Sequence, residues 1–188
     1  MKEVKEFLEL DSSLFRTICE DSKTKPEVID SIIEEFKQRK VFDRYATNEV
    51  GWISSNNQSL LSRHIDFIID KEYSYSIMNR PNITDRHLDR IVSNGTVNVF
   101  FCSCTKLLPR HIDLAVKYDS YHVRAAIAKH PNLQSNHLDI LSKDKTLTVT
   151  RALAKRIDLS QNNVDKLLKK NDSRIRHSLK RNGYIKEL

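Results

Sequence analysis

A short segment recurs five times in this sequence, and its regular spacing constrains the fold more than any other feature. Four copies read polar residue, histidine, aliphatic residue, aspartate, and a fifth lacks the histidine: Arg63-His64-Ile65-Asp66, Arg86-His87-Leu88-Asp89, Arg110-His111-Ile112-Asp113, Asn136-His137-Leu138-Asp139 and Asn163-Val164-Asp165. Successive aspartates are 23, 24, 26 and 26 residues apart. A period of this length is typical of repeat proteins, in which a unit too small to bury its own apolar side chains stacks on its neighbours.

The recurring segment has the apolar spacing of an amphipathic helix, which we call helix A. Apolar residues lie six positions before each aspartate, one before it and two after it, which places them on one helical face. Residues suited to a helix start lie near each copy: Ser62, Thr84, Ser135 and Ser160 as N-caps and Pro109 in a first turn. We interpret the aspartates as first-turn carboxylates that favour the positive end of the helix, and the histidines beside them as structural rather than catalytic or metal-binding.

A second helical segment, helix B, follows each copy of helix A. It carries two apolar residues four positions apart: Tyr73 with Ile77, Val97 with Phe101, Val123 with Ile127, Val149 with Leu153, and Ile175 with Leu179. Small residues such as Ala126 and Ala152 lie between them and permit close helix packing. Pro81 and Pro131 then end the segment, because proline cannot continue a helix. Helix B is therefore expected to be only about two to three turns long.

The paired helices predict an all-α fold in two parts. Residues 46–188 form a helical repeat, and residues 1–45 form an N-terminal helical cap that covers the first repeat. The cap is predicted from an apolar stripe with charged residues on the other face: Val28, Ile29, Ile32, Ile33 and Phe36. Strands are disfavoured, because alternation of apolar and polar residues is not sustained and turn glycines are missing.

Two stretches resemble leucine-rich variant repeats, a family similar to HEAT-like α-solenoids: Val123-Arg124-Ala125-Ala126-Ile127-Ala128-Lys129-His130-Pro131-Asn132-Leu133 and Arg151-Ala152-Leu153-Ala154-Lys155-Arg156-Ile157-Asp158-Leu159. The resemblance implies a right-handed α-solenoid of about five to six stacked two-helix repeats, each an α-helix plus a short α or 3₁₀ helix. It is good over residues 120–182, recognisable over 46–119 and absent from the first 40 residues.

The resemblance also carries expectations about individual units and cofactors. Phe100-Phe101-Cys102 and Ser74-Tyr75-Ser76 replace the small-residue core of the motif, so we expect distorted middle units. Some family members carry an iron–sulfur cluster on an N-terminal cysteine cluster. Only Cys19 lies in that region here, so we expect no cofactor. The family implies a general binding role and names no ligand.

Composition and motifs favour a non-enzymatic, cytoplasmic protein. Cys19, Cys102 and Cys104 have no histidine at zinc-site spacing, which fits reduced thiols and predicts no metal site. No phosphate loop, nucleophile elbow or zinc-protease motif occurs. No apolar run is long enough for a membrane, and the first residues carry acids where a signal peptide needs a basic stretch. High lysine, asparagine and isoleucine content with 3 glycines suits an AT-rich genome such as that of a phage.

Candidate functional residues lie where the copies of helix B differ. With the first apolar residue of helix B as position zero, positions two and six point away from the apolar face. Position two reads Trp52, Tyr75, Val99, Ala125, Arg151 and His177, and position six reads Asn56, Asn79, Ser103, Lys129, Lys155 and Arg181. If the units stack, this strip grades from aromatic to basic. Charge follows the same direction, since residues 143–188 hold 13 Lys and Arg against 5 Asp and Glu, in a chain whose net charge is +7.

We predict that the strip binds a protein partner, an acidic one by its charge, as an adaptor or inhibitor does. The residues assigned to it are Trp52, Tyr75, Lys129, Arg151, Lys155, His177 and Arg181. The alternative is a basic ridge that binds nucleic acid through its phosphates. A remote enzymatic alternative is a DNA glycosylase, because some are built on HEAT-like repeats, with Trp52, Tyr75 and Asp70 as its pocket. No membrane or small-molecule substrate is expected.

A structural interpretation stays open beside these hypotheses. In it, the two aromatic residues pack under the N-terminal segment and the basic residues are only solvated. Arg124 with Asp119, and Arg176 with Asp172, likewise predict structural ion pairs within or between units.

Overall fold

The computed structural model describes residues 23–38, 59–71 and 76–186, together with Thr17 and Asp21. Within these ranges every regular element is a helix, so the predicted all-α class is confirmed. The chain divides into two compact units, residues 1–96 and 97–188, which we call the N-terminal unit and the C-terminal unit. The predicted boundary at residues 45 and 46 lies outside the described residues and stays a prediction.

Three α-helices are described in the N-terminal unit: α1 (Pro26–Gln38), α2 (Ser62–Asp70) and α3 (Asp85–Ser93). Helix α1 packs against α2, and α2 packs against α3. Ile29, Ile32 and Ile33 of α1 are buried and Glu34 is exposed, as the apolar stripe predicts. The side chain of Phe36, assigned to the same stripe, lies outside the described residues.

The described part of the C-terminal unit is one 3₁₀ helix followed by six α-helices: Phe101–Ser103, α4 (Pro109–Ala115), α5 (Tyr121–Ile127), α6 (Ser135–Ser142), α7 (Leu147–Leu153), α8 (Gln161–Leu168) and α9 (Ser173–Arg181). Copies of helix A are α4, α6 and α8, and copies of helix B are the 3₁₀ helix, α5, α7 and α9. Helix α6 packs on α8, whereas α5 packs on the 3₁₀ helix and on α7, and α7 packs on α9. Each helix A also packs on the helix B that follows it. Equivalent helices of this unit therefore lie side by side.

The starts of helix A agree only in part with the sequence. Thr84 and Ser160 are N-caps and Pro109 is the first residue of α4, as predicted. The predicted caps Ser62 and Ser135 are wrong, because each is the first helical residue and the cap falls one position earlier. At both helix starts the backbone N–H of the cap residue donates to Nδ1 of the histidine three residues later.

The first helix B of the C-terminal unit is the 3₁₀ helix Phe101–Ser103, which is shorter than α5 and α7. Because the resemblance allows either a short α or a 3₁₀ helix here, the distortion expected at Phe100-Phe101-Cys102 stays a prediction. Asn98 Oδ1 accepts hydrogen bonds from the N–H groups of Phe100 at 2.9 Å and Phe101 at 3.1 Å. This is the contact of an N-cap side chain, so Asn98 fixes where the helical turn begins. The other expected distortion, at residues 74–76, lies mostly outside the described residues.

Candidate partner-binding surface

Each histidine of the repeated segment closes the start of its own helix A. Its Nδ1 accepts the backbone N–H of the N-cap residue: Leu61 to His64 at 3.1 Å, Thr84 to His87 at 3.0 Å, Leu108 to His111 at 3.2 Å, and Gln134 to His137 at 3.0 Å. In the fifth copy Asn163 Oδ1 accepts from Ser160 at 3.3 Å. Glutamate has this role in a capping box. Because Nδ1 is an acceptor, the proton of the neutral ring lies on Nε2.

In three copies the other side-chain nitrogen bonds the preceding copy of helix A. His137 Nε2 donates to Asp113 Oδ1 at 2.8 Å, and Asn163 Nδ2 donates to Asp139 Oδ1 at 2.6 Å. His87 Nε2 lies 2.9 Å from the hydroxyl oxygen of Ser62, the first residue of the preceding helix A. We call this series of hydrogen bonds between successive copies of helix A the helix-A ladder.

Two aspartates of the repeated segment, Asp113 and Asp139, act as acceptors for the next helix A. Asp113 and Asp139 are the fifth residues of α4 and α6, so they lie in the second helical turn. The predicted first-turn role is therefore wrong, because a carboxylate in the second turn is too far along the helix to bond its N-terminal N–H groups. Its position instead allows it to accept a hydrogen bond from the neighbouring helix.

Helix α1 supplies an acceptor of the same kind to the first repeat. His64 Nε2 donates to Asp30 Oδ1 at 2.8 Å, and Arg63 forms a bidentate pair with that carboxylate at 2.7 and 2.6 Å. The Arg63 guanidinium holds the pKa of Asp30 well below its usual range. Burial lowers the pKa of His64, so its ring is neutral near pH 7.

The match between α1 and the later copies of helix A was missed in the sequence. Pro26 is the first and Asp30 the fifth residue of α1, as Pro109 and Asp113 are in α4. Asp30 lies 36 residues before Asp66, whereas successive aspartates of the repeated segment are 23 to 26 residues apart. In addition, α1 has no histidine at its third position. The match could have been recognised because proline, isoleucine and aspartate occupy the first, fourth and fifth positions of both helices.

The histidines of the helix-A ladder therefore have a structural role. Both ring nitrogens of His64, His87 and His137 are bonded, and all three rings are buried. Over the described ranges, no three or more His, Cys, Asp and Glu side chains are grouped so as to hold a metal ion.

A second series, which we call the helix-B ladder, runs through the residues that follow helix B. In each unit a side chain donates to the backbone carbonyl of the equivalent residue one unit earlier: His130 Nε2 to Cys104 O at 3.1 Å, Arg156 Nη1 to His130 O at 2.8 Å, and Asn182 Nδ2 to Arg156 O at 3.0 Å. Arg156 and Asn182 also bond a C-cap carbonyl each, which a helix end leaves without an internal partner. This ladder was missed in the sequence, because its members share a spacing of 26 but no side-chain type.

Arg124 joins helix α5 to the following unit. Its Nε lies 2.6 Å from Asp144 Oδ2, and its Nη1 donates to the backbone carbonyl of Asp119 at 2.7 Å. The predicted ion pair between Arg124 and Asp119 is therefore wrong, because the nearer carboxylate comes from the loop that precedes α7.

Arg151, assigned to the partner-binding strip, makes the equivalent pair from α7. Its guanidinium is bidentate to Asp172 at 3.1 and 2.5 Å, and this contact lowers the pKa of Asp172 to about 2. The predicted pair of Asp172 with Arg176 is therefore wrong, since Asp172 caps α9 on one side and faces α7 on the other. About a third of the Arg151 side chain stays exposed.

The aromatic end of the strip, Trp52 and Tyr75, lies outside the described residues. Among the other position-two residues, His177 is exposed on α9 and faces away from the core, as expected. Ala125 is buried, contrary to that expectation, because α5 is packed between the 3₁₀ helix and α7. Position two therefore does not form one continuous exposed surface.

The basic residues at position six are exposed but lie at the ends of the helices. Lys129 and Lys155 each follow the C-cap of α5 and α7, and Arg181 is the last residue of α9. The strip is thus a row of cations at the C-terminal ends of successive helix-B copies.

Lys129 and Lys155 line one shallow, open pocket within the C-terminal unit. Its other surface is mostly carbon, from Pro131, Ala152 and Ile157. The Ile157 side chain is 84% exposed, more than any other large apolar side chain in the described ranges. Neither lysine side chain has a hydrogen-bond or ion-pair partner among the described residues.

The remaining charges of this pocket neutralise each other. Arg156 Nε and Nη2 bond the two carboxylate oxygens of Asp158 at 2.7 and 2.6 Å. The guanidinium lowers the pKa of Asp158, which therefore stays ionised. The unbalanced charge at the pocket thus comes from Lys129 and Lys155.

His177 belongs to a different place from the two lysines. It lines a second shallow pocket against α9 with Asp172, Arg176 and Lys180. Arg181 lines neither pocket. The structure therefore brings together two of the residues assigned to the strip, rather than all of them.

The buried cysteines lack the properties of nucleophiles. Cys102 and Cys104 are free thiols inside the C-terminal unit. Burial raises the pKa of Cys102 to about 12 and also raises the pKa of Cys104. A thiol that stays protonated at neutral pH is inert as a nucleophile. Cys19 lies outside the described residues.

The remaining candidate of the glycosylase alternative is Asp70. Arg90 binds its carboxylate in a bidentate pair at 2.8 and 2.6 Å and lowers its pKa. Asp70 is thus an ionised partner of α3, and the two aromatic residues proposed with it are not described.

No family model, curated protein or solved structure matches this chain. The described helices include none that is both long and apolar enough to cross a bilayer.

Proposed function

We propose that this chain is a non-enzymatic binding module that holds an acidic protein partner in the cytoplasm, as an adaptor or inhibitor does. In this proposal the units stack as a right-handed α-solenoid of about five to six two-helix repeats, similar to leucine-rich variant repeats. The two ladders support it, since they join units through side chains at spacings of 24 or 26 residues. Such a stack offers an extended surface without a deep pocket, which suits a protein partner.

The proposal depends above all on the exposed, unpaired state of Lys129 and Lys155 among the described residues. Four other cations of the same unit bond a carboxylate: Arg124, Arg151, Arg156 and Lys166. Lys129 and Lys155 differ from the remaining exposed cations because both line one pocket with the exposed Ile157. A lysine at a helix C-terminus also favours the helix dipole, by about 0.3–1 kcal/mol. That effect leaves the charge in solvent, where both ammonium groups attract a surface rich in carboxylates.

The test is capture of cellular proteins by the purified full chain, with two charge-reversed variants that are first shown to fold. Lys129→Glu/Lys155→Glu changes the pocket. Lys117→Glu/Lys145→Glu makes the same change of net charge at exposed lysines between helix A and helix B. We expect one acidic protein that the unmodified chain and the control variant capture equally and that the pocket variant loses by about tenfold or more. Equal capture by both variants contradicts the proposal.

A second candidate function is the binding of nucleic acid, favoured by the same row of exposed cations. Cations that replace counterions on phosphates give an affinity that falls steeply with salt and depends little on sequence. A shift assay with single-stranded and duplex DNA, and capture repeated after nuclease treatment, separate the two functions. DNA binding at low salt that Lys129→Glu/Lys155→Glu abolishes favours the second candidate, whereas capture that survives nuclease favours the first.

A further inference from the structure

Ile157 lies in the loop between α7 and α8 and is 84% exposed. Scattered apolar side chains on a protein surface are normal and need no special cause. Ile157 differs from such residues in two respects. It borders a pocket whose surface is mostly carbon, and the loop around it is held by side-chain hydrogen bonds on both sides.

The residues on both sides of this isoleucine are held by hydrogen bonds. Arg156 and Asp158, which precede and follow Ile157, form a bidentate ion pair with each other. The Arg156 side chain is only 10% exposed. Asn182 donates to the Arg156 carbonyl at 3.0 Å. The Leu159 N–H donates to Tyr184 Oη at 2.7 Å. The isoleucine is therefore presented by an ordered loop, and a partner that covers it has little ordering entropy to overcome.

We propose that this pocket binds an acidic segment of the partner that carries an apolar residue between its carboxylates. The apolar side chain packs against Ile157, Pro131 and Ala152, and carboxylates on either side pair with Lys129 and Lys155. An apolar centre with a charged, solvated rim is the usual anatomy of a protein interface. This inference rests on the proposed acidic-partner function and names the element that the surface recognises.

The apolar residues decide between a peptide and a phosphate backbone as the occupant. Phosphates would pair with Lys129 and Lys155 but would gain nothing from covering Ile157. An acidic segment with an aliphatic side chain uses both the charge and the carbon surface, because burial of apolar area is favourable. Dependence of binding on Ile157 is therefore the property to measure.

The probes are two synthetic peptides, one with a central leucine between pairs of glutamates and one with serine in place of that leucine. Each is titrated into the isotope-labelled full chain and followed by amide NMR shifts. We expect the leucine peptide to shift the amide signals of residues 129, 130 and 152–158 and to bind about tenfold more tightly than the serine peptide. Ile157→Ser should remove this preference without changing the melting temperature, because the side chain is exposed.

Two further variants serve as controls for that loss. Ile157→Val keeps an aliphatic side chain and should retain the preference for the leucine peptide. Leu147→Ser removes an apolar side chain that is 39% exposed at the start of α7, away from the pocket lining, and should also retain it. Equal affinity of the two peptides, shifts outside the pocket, or an unchanged preference in Ile157→Ser overturns this inference. Charge-dependent capture of a partner would still support the proposed function in each of those cases.

Discussion

The repeated histidine acts in two directions at once. Its Nδ1 accepts an N–H at the start of its own helix, and its Nε2 donates to an aspartate of the preceding helix in His64 and His137. Only the neutral ring with its proton on Nε2 satisfies both contacts. Asn163 makes the same two contacts through its amide oxygen and nitrogen. The requirement at this position is thus an acceptor and a donor on opposite sides of one side chain.

This geometry predicts how substitutions at His137 rank. His137→Ala leaves the Gln134 N–H and the Asp113 carboxylate without their partner and opens a cavity, so we expect the free energy of unfolding to fall by about 2–4 kcal/mol. His137→Asn restores both contacts and should cost about 1 kcal/mol. Urea denaturation followed by circular dichroism measures both, with exposed His177→Ala as the control. Equal losses for alanine and asparagine would contradict the two-contact role.

The buried histidines also predict a pH dependence of stability. Burial lowers the pKa of His64, His87 and His130 below the usual 6.5, so the unfolded chain binds protons more readily than the folded chain. Their contribution is complete above about pH 6.5 and is lost as the pH falls through the lower folded values. We expect the free energy of unfolding to decrease between about pH 7 and pH 5, where most carboxylates remain ionised. His64→Asn should reduce the slope, and an unchanged slope would contradict this origin.

At the scale of elements, helices A and B are held by different means. Helix A bonds its neighbours near its N-terminal end, through the helix-A ladder. Helix B is short, with 7 residues in α5 and α7, and its C-terminal carbonyls bond side chains of the next unit. Isolated helices of this length are marginal in water, so these contacts and core packing stabilise them.

Arg156 provides the sharpest test of the helix-B ladder. Arg156→Ala removes the donor to the carbonyls of Ala128 and His130 and leaves the Asp158 carboxylate unpaired, so we expect a loss of about 1–3 kcal/mol. Arg176→Ala is the matched control, because that side chain is exposed without a partner among the described residues, and it should change stability by less than about 0.5 kcal/mol. Thermal unfolding measures both, and hydrogen exchange should quicken over residues 154–160 in the first. Similar melting of the two variants would count against the ladder.

At the scale of the whole molecule, α1 links the N-terminal segment to the repeat. It packs on α2 and gives His64 a carboxylate acceptor, as α4 gives one to His137 of α6 and α6 gives one to Asn163 of α8. A terminal repeat exposes apolar surface unless another element covers it. The cap predicted for residues 1–45 thus has a concrete contact at Asp30.

Deletion of residues 1–40 tests this capping role. It uncovers the surface of α2 under α1 and removes the partner of His64, so we expect a lower melting temperature and aggregation. Asp30→Ala in the full chain keeps the packing and removes only the polar contacts, so its loss should be smaller. Calorimetry and light scattering provide the readout. A truncated chain that melts at the same temperature and stays monomeric would refute the cap.

Much of the fold was predictable because helix formation and amphipathicity are local. Apolar residues three and four positions apart predicted helices at α2 through α9, the stripe of α1, and the buried positions of most of them. The 3₁₀ helix Phe101–Ser103 is one of the two forms that the resemblance implied for helix B. Lys129 and Lys155 were assigned to the strip because residues that differ between equivalent positions stand out from the repeat, and the structure places both at one pocket.

The polar partners were decided by tertiary structure instead. Asp172 pairs with Arg151 rather than with Arg176, and the repeated aspartates bond the next helix rather than their own. Those partners lie 20 or more residues apart, so their distances depend on how one helix packs on another and not on local spacing. Ile157 illustrates the same limit, since as an isoleucine it resembles a core residue. In the folded chain it lies in solvent beside two lysines, in a loop whose neighbouring residues are held by long-range hydrogen bonds.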